Sequence, residues 1–164
     1  MLGYYEDEEA TNEVIKVDES GDRWFYSGDV GYLDDDGFLF ITGRSKNVIV
    51  TQNGKNIYPE EIELMLGKVS EIKECMVYGK EVEGQKELVI SVKVIPNYED
   101  IEEKYGKDLN EEEIRNIIWE KIKEVNHKLT SYKAIKNLEI KKDEFVKTTT
   151  MKIKRYAEIE KDKK

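Results

Sequence analysis

The stretch from Asn110 to Leu129 constrains the fold more than any other part of the chain. Asn110 stands three residues before Glu113, the arrangement of a capping box, and apolar residues follow at Ile114, Ile117, Ile118, Ile122, Val125 and Leu129. That spacing predicts a helix with one buried face, and such a face needs an apolar partner. Short runs with strand character supply it. Val48-Ile49-Val50 and the runs at residues 72–78, 87–95 and 135–140 read as strands, with Glu81-Val82-Glu83-Gly84-Gln85 as a hairpin loop between the second and third. Pro59 is placed to open another helix, with Glu60 and Glu61 in a first turn whose dipole favours acids. Ile62, Met65 and Leu66 share one face of it. Residues 96–110 are acidic and polar without a clear period and read as a loop or a loosely ordered insertion. Residues 151–161 read as a final helix. After residue 47 the order is therefore β, α, β, β, α, β, α, which gives an α+β fold: a short β-sheet flanked by helices.

Residues 1–45 have a different character and read as short strands and turns. Residues 13–17 alternate in part, and Trp24-Phe25-Tyr26 is aromatic. Asp34-Asp35-Asp36-Gly37 is a turn signal between Tyr32-Leu33 and Phe38-Leu39-Phe40-Ile41, which predicts a hairpin. The piece is too short to bury Trp24, Phe25, Tyr32, Phe38 and Phe40 by itself, so these side chains call for a larger partner surface.

At 164 residues the chain fits one domain, or one domain plus a short piece of another. Charged residues are 38% and mixed in sign, which suits solvated surfaces. The net charge of −9 argues against a nucleic-acid interface, since phosphate binding needs a net-positive face. The Lys-rich segment at residues 141–164 is the one place for a local basic patch. Cys75 is the only cysteine, so no internal disulfide or multi-thiolate metal site is possible. It lies in the run Cys75-Met76-Val77-Tyr78 and reads as a buried, inert strand thiol. The lone His127 reads as a surface or cap residue. No apolar run approaches the roughly 20 residues needed to span a bilayer, and the N-terminus lacks the basic and apolar regions of a leader. A cytoplasmic protein without a transmembrane segment is expected, with peripheral membrane contact still open.

Five short motifs could carry chemistry, and each has two readings. Asp29 in Ser27-Gly28-Asp29 can accept hydrogen bonds from a ribose diol, or can solvate its own turn. Arg44 in Gly43-Arg44 offers a planar fork to a phosphate or ribose, or to a surface ion pair. Lys46 falls where the composition changes, as a hinge or as a charged linker residue. Asn53-Gly54-Lys55 is a turn in which Gly54 also allows close backbone approach by a ligand. Lys152, in a Thr-rich loop with Lys154 and Arg155 after it, can carry a point charge to an anion or sit in a solvated basic tail.

Taken in order, these motifs resemble the last motifs of the AMP-forming acyl-CoA synthetases, the adenylate-forming superfamily. The residues concerned are Gly28-Asp29, Gly43-Arg44-Ser45-Lys46, Asn53-Gly54 with Pro59-Glu60-Glu61-Ile62-Glu63, and Thr148-Thr149-Thr150-Met151-Lys152-Ile153-Lys154-Arg155. The Gly-Tyr-Tyr and Glu-Ala-Thr pieces of residues 3–12 resemble the lead-in. The resemblance implies that residues 1–45 are the β-rich end of an N-terminal adenylation domain and residues 46–164 a mobile C-terminal domain. It implies that Asp29 and Arg44 bind the nucleotide of ATP or AMP, that Lys46 is the hinge, and that Lys152 is the catalytic lysine of acyl-adenylate formation. Asn53, Gly54 and Lys55 would line the channel for the pantetheine of coenzyme A.

Mg2+ is expected in the full-length enzyme but without ligands from this stretch. The family usually has glycine where Met151 stands. The phosphate loop, acyl pocket and adenine-holding motif of the family are not in these residues, so the expectation is a C-terminal portion inactive alone. Met1 falls inside a family motif, which suggests an excised boundary, a truncated gene or an internal start. A long-chain fatty acid is the expected substrate, on the Thr-Thr-Thr-x-Lys-Ile-Lys-Arg ending and the acidic stretch after Pro96. Two other readings stand beside it: a peptide-synthetase adenylation domain that passes its acyl group to a carrier protein, and a non-catalytic binding module derived from a synthetase.

Overall fold

The computed structural model describes residues 1–51, 54–81 and 88–160. The chain divides into two compact units, Met1–Asn47 and Val48–Lys164.

The first unit opens with helix α1 (Glu8–Val14), followed by two antiparallel pairs. Strand β1 (Ile15–Val17) pairs with β2 (Arg23–Phe25), and β3 (Asp29–Leu33) pairs with β4 (Leu39–Arg44). The expected hairpin is present. Asp34 closes its turn by accepting from the amides of Asp36 and Phe38 through Oδ1, at 3.1 and 2.8 Å. Tyr32 and Phe40, directly opposite each other, stack at 5.3 Å between ring centroids. Trp24, Phe25, Tyr32, Phe38 and Phe40 all remain exposed. Helix α1 corrects the expectation of strands and turns alone. Asp7 caps it, accepting from the Ala10 amide at 2.9 Å, and none of its residues is buried, so it leaves no apolar stripe to read. Its last residues, Glu13 and Val14, take up the start of the alternating stretch.

The second unit holds the core. A two-stranded hairpin, β5 (Ile49–Val50) with β6 (Asn56–Ile57), leads into α2 (Pro59–Leu66), which Pro59 opens as expected. Strands β7 (Ile72–Lys80), β8 (Val89–Pro96) and β9 (Asn137–Ile140) form a sheet in that order, β7 antiparallel and β9 parallel to β8. The β7–β8 connection lies mostly outside the described residues. Helix α4 (Glu111–Asn126) carries the capping box. Asn110 accepts from the amides of Glu112 and Glu113, and the Glu113 carboxylate accepts from the Asn110 amide at 2.8 Å. Ile118 and Ile122 of α4, with Ile62 and Leu66 of α2, meet Ile90, Val92 and Val94 of β8 in one apolar cluster. Each such side chain contributes about 1.5–3 kcal/mol on burial.

Residues 96–110 are not a loop throughout. Helix α3 (Tyr98–Tyr105) lies there, and its single buried residue, Ile101, is too little to produce a period. Tertiary contacts hold it: Lys104 and Tyr105 reach the buried carboxylate of Glu71 at 3.2 and 3.1 Å. The last helix, α5 (Arg155–Glu160), starts four residues later than expected, because residues 148–152 are a closed turn. His127 is exposed at the C-cap of α4. Cys75 lies on β7 but is only partly buried. Among the described residues no helix is long and apolar enough to cross a membrane.

Ile122→Ala should cost about 2–5 kcal/mol through the cavity it leaves, and Asn110→Ala about 1 kcal/mol through the lost cap. Urea denaturation monitored by circular dichroism at 222 nm measures both, with Ile122→Ala having the larger effect.

Candidate functional site

In the first unit, the pairing of β3 with β4 places Asp29 opposite Arg44. Arg44 donates from Nε to Asp29 Oδ1 at 2.8 Å and from Nη2 to the Ser27 carbonyl at 3.4 Å. The Ser45 amide donates to the Gly28 carbonyl at 2.9 Å and closes the corner. A cleft of about 570 Å3 is lined by Phe25, Tyr26, Gly28, Asp29, Ser45 and Lys46. Two of the expected nucleotide-site residues thus form an ion pair, and Asp29 shares its cleft with Lys46. Both partners of the pair are substantially exposed, and such pairs contribute about 0–1 kcal/mol. A polyol that offers hydrogen bonds to Asp29 displaces little stability in rearranging them.

In the second unit, Gly54 with Lys55 and Met151 with Lys152 sit on two turns of the same construction. Asn53 itself lies outside the described residues. In one turn the Thr51 amide donates to the Lys55 carbonyl at 3.0 Å, and the Gly54 amide to the Thr51 carbonyl at 2.9 Å. In the other the Thr148 amide donates to the Lys152 carbonyl at 2.8 Å, and the Met151 amide to the Thr148 carbonyl at 2.9 Å. The threonine hydroxyl closes each turn, accepting from the Lys55 amide at 3.1 Å and the Lys152 amide at 3.2 Å. The residue before each lysine has a left-handed backbone, φ 71° at Gly54 and 62° at Met151. Each turn therefore presents an exposed lysine just after its left-handed corner. The Lys55 ammonium rests over the Tyr132 ring, 4.3 Å from its centroid.

The arms of the Lys152 turn are fixed. Lys147 and Ile153 form a bridge, and the Lys154 amide donates to the Val146 carbonyl at 2.8 Å. The Val146 amide donates to Glu158 Oε1 at 2.8 Å. Glu158 is fully buried, with Lys141 Nζ 3.4 Å from Oε2. Lys93, 2% exposed on β8, donates to the Glu158 carbonyl at 2.8 Å and lies 3.7 Å from Glu139. Lys147 reaches Glu74 at 2.6 Å.

Arg155 is no part of a solvated tail. It donates to the Val77 carbonyl at 2.9 Å and to Glu63 Oε2, while Glu63 Oε1 accepts from the Val77 amide at 2.6 Å. Burial raises the Glu63 pKa above its ordinary value, against the opposing charge of Arg155. Sequence reading missed this contact. The signal was present, since Glu63 ends the Pro59-x-x-Ile62-Glu63 signature and Arg155 ends Lys152-Ile153-Lys154-Arg155.

Burial, and then the charge of Glu63, push the Cys75 thiol up to about 12. Iodoacetamide should therefore alkylate the native protein at mildly alkaline pH about a hundredfold more slowly than the guanidinium-unfolded chain, with mass spectrometry as the readout. At Met151 an L side chain occupies a backbone region that costs roughly 1–2 kcal/mol. Met151→Gly should recover about 1 kcal/mol, measured as a rise in the urea midpoint at unchanged slope.

The sequence pattern described as AMP-binding enzyme C-terminal domain matches residues 46–161. The indoleacetate–CoA ligase of Aromatoleum aromaticum is 41% identical over 96 residues, 58% of this chain and 18% of that protein. A long-chain-fatty-acid–CoA ligase of Mycobacterium tuberculosis is 44% identical over 77 residues, 47% of this chain and 12% of that protein. The chain thus spans under a fifth of the length of these relatives. Among solved structures, the o-succinylbenzoate CoA synthetase of Bacillus subtilis, in complex with an acyl-adenylate intermediate, superposes with a TM-score of 0.70 at 25% identity. That match covers 95% of this chain and 27% of the other. The adenylation domain of a carboxylate reductase from Mycobacterium chelonae shares the fold, with a TM-score of 0.76 at 21% identity, over 97% of this chain and 24% of the other. With the family pattern covering residues 46–161, the chain belongs to the AMP-binding enzyme C-terminal domain family.

Proposed function

We propose that this chain acts as the C-terminal portion of an AMP-forming acyl-CoA synthetase, with Lys152 as the catalytic lysine of its first step. The observation that carries this reading is the exposed lysine on a closed turn with anchored arms, in a chain of this family. In the first step a carboxylate oxygen of the acid attacks the α-phosphorus of ATP, and pyrophosphate leaves. The Lys152 ammonium neutralises charge between the two anions, which is how positioning and electrostatics lower such barriers. Asp29 accepts from the ribose hydroxyls, and Arg44 turns from Asp29 toward the nucleotide. Lys46 is the hinge for the change between steps.

In the second step a thiol attacks the acyl carbonyl and AMP leaves. The Asn53-Gly54-Lys55 turn then lines the passage for pantetheine. The open space around Gly54, where an added Cβ would meet nothing within 4 Å, suits this role. The described residues include no group of three or more His, Cys, Asp or Glu able to hold a metal ion, and no step assigned to this chain uses Mg2+.

Coenzyme A as acceptor, rather than a carrier protein, is supported by relatives at 41–44% identity that are named CoA ligases. A long-chain fatty acid as substrate is supported by the mycobacterial relative, and the indoleacetate ligase names the aryl-acid competitor. The partner surface for residues 1–45 is the rest of an N-terminal adenylation domain, a role that suits the exposed aromatic residues of β2, β3 and β4. A cytoplasmic location goes with this reading.

In the synthetase carrying this segment, Lys152→Ala should slow acyl-adenylate formation about a hundred- to thousandfold, read by pyrophosphate exchange. Thioester formation from supplied acyl-AMP should be spared; survival of both steps at full rate would overturn the role of Lys152. Gly54→Leu forces a left-handed backbone on leucine and should slow the thioester step alone by about tenfold. A comparison of palmitate with indoleacetate by kcat/KM tests the acid class.

A further inference from the structure

The geometry points to Arg155 and Glu63 as a positioning bracket that sets Lys152. This inference rests on the reading of Lys152 given above and extends it to residues outside the reacting centre.

Val77 lies on β7, which is an edge of the three-stranded sheet. The backbone groups of an edge strand need partners, and at Val77 the bracket supplies both. Glu63 Oε1 takes the amide at 2.6 Å, and Arg155 Nη1 gives to the carbonyl at 2.9 Å. Arg155 and Glu63 then pair with each other through Nη2 and Oε2, and Glu60 stands 3.7 Å from the same Nη2. Three elements meet here: α2, β7 and the first residue of α5. Lys152 lies three residues before Arg155, on the turn whose far arm is tied by Val146 to Glu158.

A planar guanidinium holding a carbonyl and a carboxylate at once fixes both distance and direction. A lysine at the same position would supply charge without the fork. On α2 the bracket takes hold in mid-helix, through Glu60 and Glu63.

The test uses Glu63→Gln, which keeps the size and an acceptor for Val77 but removes the charge, and Arg155→Met as a second variant. Endoproteinase Lys-C is applied to the folded 164-residue chain, with cleavage after Lys152 compared with cleavage after Lys123, an exposed lysine on α4. The expected result is about a tenfold faster cut at Lys152 with no change at Lys123, since a charge-assisted bond to the turn's base has gone. In the synthetase the same variants should lower kcat for adenylate formation about tenfold while KM for ATP stays within about twofold. Equal acceleration at both lysines would reduce the bracket to general fold stability and overturn the inference. No acceleration at Lys152 would also overturn it, as would a normal adenylation rate in a chain whose turn is loosened. Should Lys152→Ala itself leave adenylation intact, the functional reading fails and positioning for catalysis fails with it. The cleavage result then still decides whether the bracket holds the turn.

Discussion

Strand β8 is buried on both faces, and that double burial sets what the rest of the second unit can be. Toward one face Ile90, Val92 and Val94 meet the apolar stripes of α2 and α4. Toward the other lie Ser91, Lys93 and Ile95. A buried lysine is costly unless it is paired and hydrogen-bonded. Lys93 is provided for by the Glu158 carbonyl, by Glu139 and by the Tyr78 ring. The first face makes a stable core. The second recruits the C-terminal residues, because α5 brings the Glu158 carbonyl that accepts from Lys93.

That recruitment gives the Lys152 turn a rigid base. Phe145 and Ile153 join Met76, Tyr78 and Ile95 in a small second cluster, and Glu158 ties Val146 from within it. For the role proposed for Lys152, a short arm held by packed elements is an advantage, since small misplacements cost much of the rate. Here the arm is a five-residue turn and the base is a sheet face. The turn around Gly54 is built alike but grows from the β5–β6 hairpin, so one small unit offers two equivalent mounts for a lysine.

The two corners differ in strain. Gly54 meets its positive φ at no steric cost, and Met151 takes the same conformation against its own Cβ. Met151 stands where the family resemblance leads one to expect glycine. In three dimensions the departure leaves the turn's shape intact and the hydrogen bonds of Thr148 in place. The price is local strain beside Lys152.

Much of this was legible in the residues themselves. The capping box at Asn110, the stripe from Ile114 to Leu129, Pro59 at the head of α2 and the Asp34–Gly37 turn all follow from local chemistry, which acts over a few residues. So did the α+β class and the ordered motifs that carry the family resemblance. Helix α1 was hidden because it buries nothing, and α3 because one isoleucine makes no period. The start of α5 was displaced by a turn whose hydrogen bonds join residues that read as helical. What only the tertiary structure decided are the pairings between distant residues: Asp29 with Arg44 across a hairpin, Lys93 with Glu158, and Glu63 with Arg155 over Val77. For Asp29 and Arg44 the physical reason is strand register, and for the other two it is burial. Charges removed from water need partners, and the partner is whichever group the packed sheet brings within reach, however far apart the two stand in the chain.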